Sequence, residues 1–234
     1  MNLSWPKFSV PEVFHIGTMD PSHKYATHNS TSLEGAGLSV SLHPDEWRQI
    51  AKLGGNPTWS LRMASVGDAE FLDVHRLSDQ HWVAVMDWAC RHGFATKTQV
   101  IQVGWYDSEI DDICAFTYPA SDPVKVAEAK AEYDALKEFD DDATYEVMDG
   151  FEATQALNER IGFAVEPSLV RDMALTLYVE SVLATSDGIQ GLWWSDELDV
   201  NAYSAPRGVI SPDALDLWRW EVVCEAAPKS DLSL

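Results

Sequence analysis

The stretch Gly37-Leu-Ser-Val-Ser-Leu-His-Pro-Asp-Glu-Trp47 passes directly from a strand pattern to a helix pattern. Residues 38–42 alternate apolar and small polar side chains, which is the period of a half-buried strand. Pro44 suits the first turn of a helix, and Asp45 and Glu46 suit the positive end of the helix dipole. The segment therefore predicts a strand that leads without a long loop into a helix.

The same two patterns recur on both sides of this stretch without the regular alternation of a doubly wound sheet. Strand patterns cover residues 13–18, 58–63, 71–77, 98–106, 191–194, 208–210 and 218–224. Helix patterns cover residues 44–53, 78–91, 123–139 and 167–184. Residues 1–12 read as an extended arm and residues 19–36 as a polar loop. This irregular mixture predicts an α+β fold with a mixed, mainly antiparallel sheet and packed helices.

The charge balance restricts the classes of partner. Among 234 residues there are 38 Asp and Glu against 16 Lys and Arg, a formal net charge of −22. Phosphate backbones and anionic membrane surfaces repel such a surface, so nonspecific nucleic-acid binding and membrane association are disfavoured. Two explanations remain: the charge keeps the protein in solution, or it attracts a basic protein partner.

Cysteine usage and the N-terminus favour a cytoplasmic protein. The three cysteines, Cys90, Cys114 and Cys224, lie far apart and form no CxxC pair, so neither a disulfide framework nor a metal site is predicted. No signal-peptide pattern opens the chain, and no apolar run is long enough to cross a membrane. Without a low-complexity linker, residues 1–225 are predicted to form one domain and residues 226–234 a flexible tail.

Two short motifs near the N-terminus could bind a ligand. His15, Gly17 and Thr18 place an imidazole beside a glycine, where backbone can approach a ligand closely. Ser39 and Ser41 are two residues apart and so share one face of their strand. The simpler interpretations are a structural histidine in an apolar strand and an edge strand with a solvent-facing side.

Together these two motifs resemble the ADP-ribosyltransferases of the diphtheria-toxin-like type. In that family a strand carries His-Gly-Thr, with the His on the nicotinamide ribose of NAD, and a second strand runs into a helix that begins with Pro. Here the first motif has one inserted residue, Ile16, and the Tyr that stacks on nicotinamide is replaced near Ser39. The resemblance implies an NAD site lined by Gly17, Thr18, Ser39 and Ser41, with Trp47 as the aromatic wall.

The resemblance also implies a late glutamate that stabilises an oxocarbenium-like transition state. Glu197 stands at about the right distance before the strand at 208–210, although Asp196 and Asp199 are equally possible. Arg207, between Pro206 and Gly208, could hold the NAD pyrophosphate through paired hydrogen bonds. The simpler interpretation of Arg207 is an ion pair with one of the many acidic residues.

Two functions therefore stay open at the level of sequence. One is an NAD-dependent ADP-ribosyltransferase, or a degenerate member that keeps the fold, with His15 and Glu197 as catalytic residues and an unknown acceptor. The other is an acidic protein without catalysis, such as an antitoxin, an immunity protein or an inhibitor of a basic enzyme. NAD binding that is lost on His15→Ala would indicate the first, and a salt-sensitive association rate would indicate the second.

Overall fold

The computed structural model describes residues 3–19, 37–107 and 112–224. Most of the predicted loop at 19–36 and the predicted tail at 226–234 lie outside these residues. The chain divides into two compact units, one formed by 1–84 with 175–234 and the other by 85–174. The sequence alone predicts one domain over 1–225 and gives no signal for this division.

Strands make up most of the first unit and form one eight-stranded sheet. They are β1 (Lys7–Val10), β2 (Val13–Ile16), β3 (Leu38–Ser41), β4 (Thr58–Met63), β5 (Ala69–Asp73), β9 (Ile189–Trp194), β10 (Arg207–Ile210) and β11 (Trp218–Cys224). The second unit contains β6 (Ala95–Asp107), β7 (Asp112–Pro119) and β8 (Thr144–Ala153).

The four predicted helices are present in the structure. The α-helices are α1 (Pro44–Ile50), α2 (Asp79–Arg91), α3 (Pro123–Lys137), α4 (Gln155–Ile161), α5 (Val170–Tyr178) and α6 (Ala184–Ser186). α3 begins because the Asp122 side chain accepts from the backbone N–H of Val124 at 2.8 Å. It ends at Lys137, before the three aspartates at 140–142 that would place negative charge at the negative end of its dipole.

The large sheet has the order β1-β5-β9-β10-β3-β2-β4-β11. Its described pairings are antiparallel except for β5 with β9, which is parallel. The α+β class with a mixed, mainly antiparallel sheet is thus confirmed. The sequence prediction that residues 58–63 and 71–77 form neighbouring strands is wrong, because β4 pairs with β2 and β11 whereas β5 pairs with β1 and β9.

The two faces of this sheet bury different clusters. The first, called here the Trp193 face, carries Val13, Val40, Leu61 and Trp193 among its buried side chains. The second, called here the Trp47 face, carries Ile16, Trp47 and Ala205. Successive residues of a strand point to opposite faces, so β2 supplies Val13 to one cluster and Ile16 to the other.

The arm at residues 1–12 contributes to the Trp193 face. Lys7–Val10 pair with β5, Val10 is buried, and the ring of Phe8 stacks on Trp193 with centroids 4.7 Å apart. The two prolines at 6 and 11 flank this strand and lie outside it, which is why a proline-containing segment can add a strand at the sheet edge.

The second unit packs α3 on a three-stranded sheet of order β7-β6-β8. Ile101 and Val103 of β6 are buried against Ala129 of α3. The sequence predicts β6 but neither β7 nor β8. Most of β8 is exposed, and its sequence TYEVMDGFEA carries too many polar residues for a clear strand pattern.

The predicted helix at 167–184 is present with irregular turns. A 3-10 turn at Pro167–Leu169 precedes α5, and a π turn at Val179–Leu183 joins α5 to α6. Its predicted apolar side chains Val170, Met173 and Leu177 are all buried, with 2% of Met173 exposed. No helix among the described residues is long and apolar enough to span a membrane.

Candidate functional site

His15 lies in β2 and is held by backbone. Its Nδ1 donates to the carbonyl oxygen of Ser39 at 2.8 Å. Gly17, which follows β2, has a φ of +145°, and a Cβ there would lie 3.0 Å from Nε2 of His15. Glycine is therefore needed at this position for its backbone conformation and for the space beside the imidazole. The neighbouring Thr18 is exposed.

Ser39 and Ser41 lie on the Trp47 face because they alternate with Val40, which belongs to the other cluster. Ser41 is fully buried, and its hydroxyl donates to the carbonyl oxygen of Pro206 at 3.0 Å and accepts from the N–H of His43 at 3.1 Å. Ser41 thus ties β3 to the start of β10 and to the entry of α1. This structural role occupies the hydroxyl that the sequence resemblance gives to a ligand.

The strand register places His15 and Trp47 on opposite faces of the sheet. Val13 lies opposite Leu61 and His15 lies opposite Trp59, so His15 shares the face of Val13 and Leu61. Trp47 packs with Ile16, whose side chain points the other way. The predicted pocket, with His15 inside it and Trp47 on its wall, is not formed by these two side chains.

Arg207, the first residue of β10, is engaged by a carboxylate. Opposite residues Ser41 and Trp194 place it on the Trp47 face, and its guanidinium lies 5.8 Å from the centroid of Trp194. Nη1 of Arg207 donates to Oδ2 of Asp196, while Oδ1 of Asp196 lies 3.3 Å from Nε2 of His75. The simpler sequence interpretation of Arg207, an ion pair, is the one found here.

The three candidate carboxylates before β10 have different surroundings. Asp196 is the one that contacts Arg207. Asp199 accepts from the N–H groups of Asn201 at 2.9 Å and Ala202 at 3.3 Å, and so closes its own turn. Glu197 is exposed. Of the three, Asp196 is therefore the carboxylate that the fold fixes in place.

A buried carboxylate lies next to this ion pair and is not evident from the sequence. Asp73, the last residue of β5, is 4% exposed, and its Oδ1 has no hydrogen-bond partner among the described residues. Its Oδ2 accepts a long hydrogen bond of 3.5 Å from the hydroxyl of Ser195. The sequence signal is the motif Asp73-Val74-His75 at the end of an apolar strand, which is too common to indicate a site alone.

Asp73 and Ser195 meet because β5 and β9 are parallel, so both strands present their carboxyl ends at the same edge. The group formed by Asp73, His75, Ser195, Asp196 and Arg207 is called here the β5–β9 polar cluster. All five residues belong to the first unit. Convergent polar groups beside an aromatic ring are typical of ligand sites.

The described residues offer little for metal or thiol chemistry. In residues 3–19, 37–107 and 112–224 no group of three His, Cys, Asp or Glu is arranged to hold a metal ion. Cys90 and Cys114 are free thiols, as expected from the sequence. Burial, assisted by the charge of Asp87, raises the pKa of Cys90 and makes it a poor nucleophile at neutral pH.

An exposed acidic segment distinguishes the second unit. Residues 138–149 contain six Asp and Glu and no Lys, Arg or His, and they include the first part of β8. Within them Phe139 is 90% exposed, Val147 56% and Met148 41%. β8 is an edge strand, so one side of its backbone is not paired within the three-stranded sheet.

Comparisons with known proteins add no family to these observations: no protein-family model, curated protein or solved structure matches the chain.

Proposed function

We propose that this chain is an acidic, non-catalytic binding protein whose partner is a basic protein. The observation that carries the proposal is the acidic segment at residues 138–149, where carboxylates surround exposed apolar side chains along an edge strand. Interfaces combine an apolar centre with a polar rim, and an edge strand can pair with a strand of the partner.

Charge gives this segment a physical role in association. Glu138, Asp141, Asp142 and Glu146 are all exposed, and the whole chain carries a formal net charge of −22. Such a surface accelerates encounter with a basic partner, and salt slows that encounter by screening. The exposed apolar side chains of the segment would then supply the contact that slows dissociation.

The test is a pair of charge-reversal variants of equal net charge. After a partner is isolated on the immobilised chain, the variant D141K/D142K/E146K should lower its association rate constant about tenfold or more and flatten its salt dependence. The control D68K/D216K/E221K changes three exposed acids of the first unit. Equal losses in both variants would show that net charge alone matters and would reject the segment as the interface.

A second candidate is an ADP-ribosyltransferase-like protein, in its active or its degenerate form. It is favoured by one observation: the three strands on which the resemblance rests, β2, β3 and β10, are consecutive neighbours in the sheet. The degenerate form fits the side chains better, because His15 and Trp47 occupy opposite faces and Arg207 is paired with Asp196.

Calorimetry with NAD and a nicotinamide-release assay separate the two candidates. The ADP-ribosyltransferase-like proposal predicts heat on NAD addition that His15→Ala abolishes. An active form would also release nicotinamide, and Glu197→Gln would stop that release with little loss of NAD binding. An absence of heat at millimolar NAD would reject the second candidate and leave the first unaffected.

A further inference from the structure

The β5–β9 polar cluster contains one acceptor that the described protein leaves unused. Oδ1 of Asp73 has no hydrogen-bond partner among the described residues, although the side chain is 4% exposed. A buried carboxylate oxygen without a donor is costly, because it has lost water and gained nothing in exchange. Such a group in a folded protein calls for a ligand that donates to it.

The charges around Asp73 indicate the sign of that ligand. With His75 neutral, the cluster contains two carboxylates, Asp73 and Asp196, and one guanidinium, Arg207. Arg207 donates to Asp196, whereas the described contact of Asp73 is the neutral hydroxyl of Ser195 at 3.5 Å. Within the cluster, Asp73 is therefore the carboxylate without a cationic donor of its own, and a cationic ligand would complete it.

The position of the cluster gives such a ligand a route from solvent. Ser195 is exposed, and its hydroxyl is the group next to Oδ2 of Asp73. One exposed side chain thus stands between water and the buried carboxylate. Trp194 is half-buried at the adjacent strand position and lies beside Arg207.

We propose that the β5–β9 polar cluster binds a cationic N–H donor, an ammonium or guanidinium group, whose N–H reaches Oδ1 of Asp73. The group can belong to a free small molecule or to a Lys or Arg side chain of another protein. The site lies in the first unit and does not use the acidic segment, so it stands or falls separately from the proposed basic-protein partner.

The test follows the backbone amides of Val74 and Ser195 by NMR during titration with four probes. Methylguanidinium and methylammonium should shift both amides in a saturable way. Tetramethylammonium, which has the charge without an N–H, and glycerol, which has donors without a charge, should not. Saturable shifts with tetramethylammonium or glycerol equal to those with methylguanidinium would overturn the proposal.

Variants identify the acceptor. Asp73→Asn should weaken methylguanidinium binding about tenfold or more, since a charge-assisted hydrogen bond is lost. The matched control Asp216→Asn removes an exposed carboxylate of the same unit and should stay within about twofold. Unchanged binding in Asp73→Asn would also overturn the proposal. If that variant does not fold, the four-probe comparison on the unaltered chain decides.

A last titration distinguishes the source of the cation. N-acetyl-arginine amide presents the same guanidinium on a peptide backbone. Tighter binding than methylguanidinium would indicate an arginine of a protein partner, and weaker binding would indicate a free small cation.

Discussion

Arg207 contacts Asp196 across the connection between β9 and β10, so the residues that leave β9 and the first residue of β10 are joined by charge. Asp196 also lies 3.3 Å from Nε2 of His75, which follows β5. Three segments that are separate in sequence are thus held together at one edge of the sheet. This contact is the first that a mutational study should address.

We expect Arg207 and Asp196 to be energetically coupled. Their side chains are 24% and 20% exposed, so screening is incomplete and the pair should show a coupling of about 1–2 kcal/mol. The measurement is a double-mutant cycle of Arg207→Ala and Asp196→Asn by urea unfolding. The exposed pair Lys130–Asp134 on α3 is the control and should show a smaller coupling. Equal coupling in the two cycles would contradict the expectation.

Met173→Asp should destabilise the protein by several kcal/mol, about 3 or more, because an unpaired charge would be buried. Met173 of α5 is 2% exposed. Val124→Asp on α3 introduces the same side chain at a position that is 64% exposed, and its effect should stay within about 0.5 kcal/mol. Urea unfolding measures both, and a small loss at Met173 would mean that this face is solvated.

Asp172 predicts a pH dependence of stability. Burial raises its pKa to about 6, against the opposing charge of Arg171, whereas an unfolded Asp titrates near pH 4. Between these values the folded state binds more protons, so this group lowers the free energy of unfolding as pH rises from about 4 to about 6. Asp172→Asn should therefore be more stable than the unaltered chain at pH 7, by up to about 3 kcal/mol, with the difference shrinking below pH 4.

The measurement for Asp172 is urea unfolding at several pH values, with Asp216→Asn as the exposed control. A difference between Asp172→Asn and the unaltered chain that did not change with pH would show that the carboxyl of Asp172 does not titrate differently in the two states.

Gly208→Ala should cost about 1–3 kcal/mol, the usual range for overpacking. The ring of Trp193 lies over this glycine, and an added Cβ would stand 2.4 Å from Cε3 of Trp193 and 2.8 Å from the carbonyl oxygen of Leu192. Gly54→Ala is the control, since a Cβ there meets nothing within 4 Å. Thermal unfolding compares the two, and equal melting temperatures would mean that Trp193 can move aside without loss.

Local patterns can be predicted from this sequence, and strand pairings cannot. The helix signals at Pro44 and Asp122 depend on neighbouring residues, so they are readable directly. The pairing of β5 with β9 joins residues more than a hundred positions apart, such as Glu70 and Ile189, and no alternation of side chains encodes it. β8 escapes prediction because an edge strand with exposed faces keeps the polar residues of a loop.

The candidate site illustrates the same limit. The motif joins His15, Ser39 and Trp47 by their order in the chain, but the two-residue period of β2 decides which face each side chain occupies. A single inserted residue, Ile16, is enough to exchange the faces of His15 and its neighbour. Asp73 is ordinary in sequence, and only its burial beside Ser195 makes it a candidate for binding.

The position of β9 and β10 in the middle of the large sheet has a consequence for synthesis on the ribosome. β5 is made long before β9, and the whole unit at 85–174 emerges between them. That unit closes its sheet from β6, β7 and β8, which lie close together in sequence, so we expect it to fold first. The eight-stranded sheet needs non-local pairings, which form slowly. Until residues 189–210 leave the ribosome, the apolar strands β1 to β5 lack their central neighbours, and this interval is when the nascent chain is most exposed to aggregation and most dependent on chaperones.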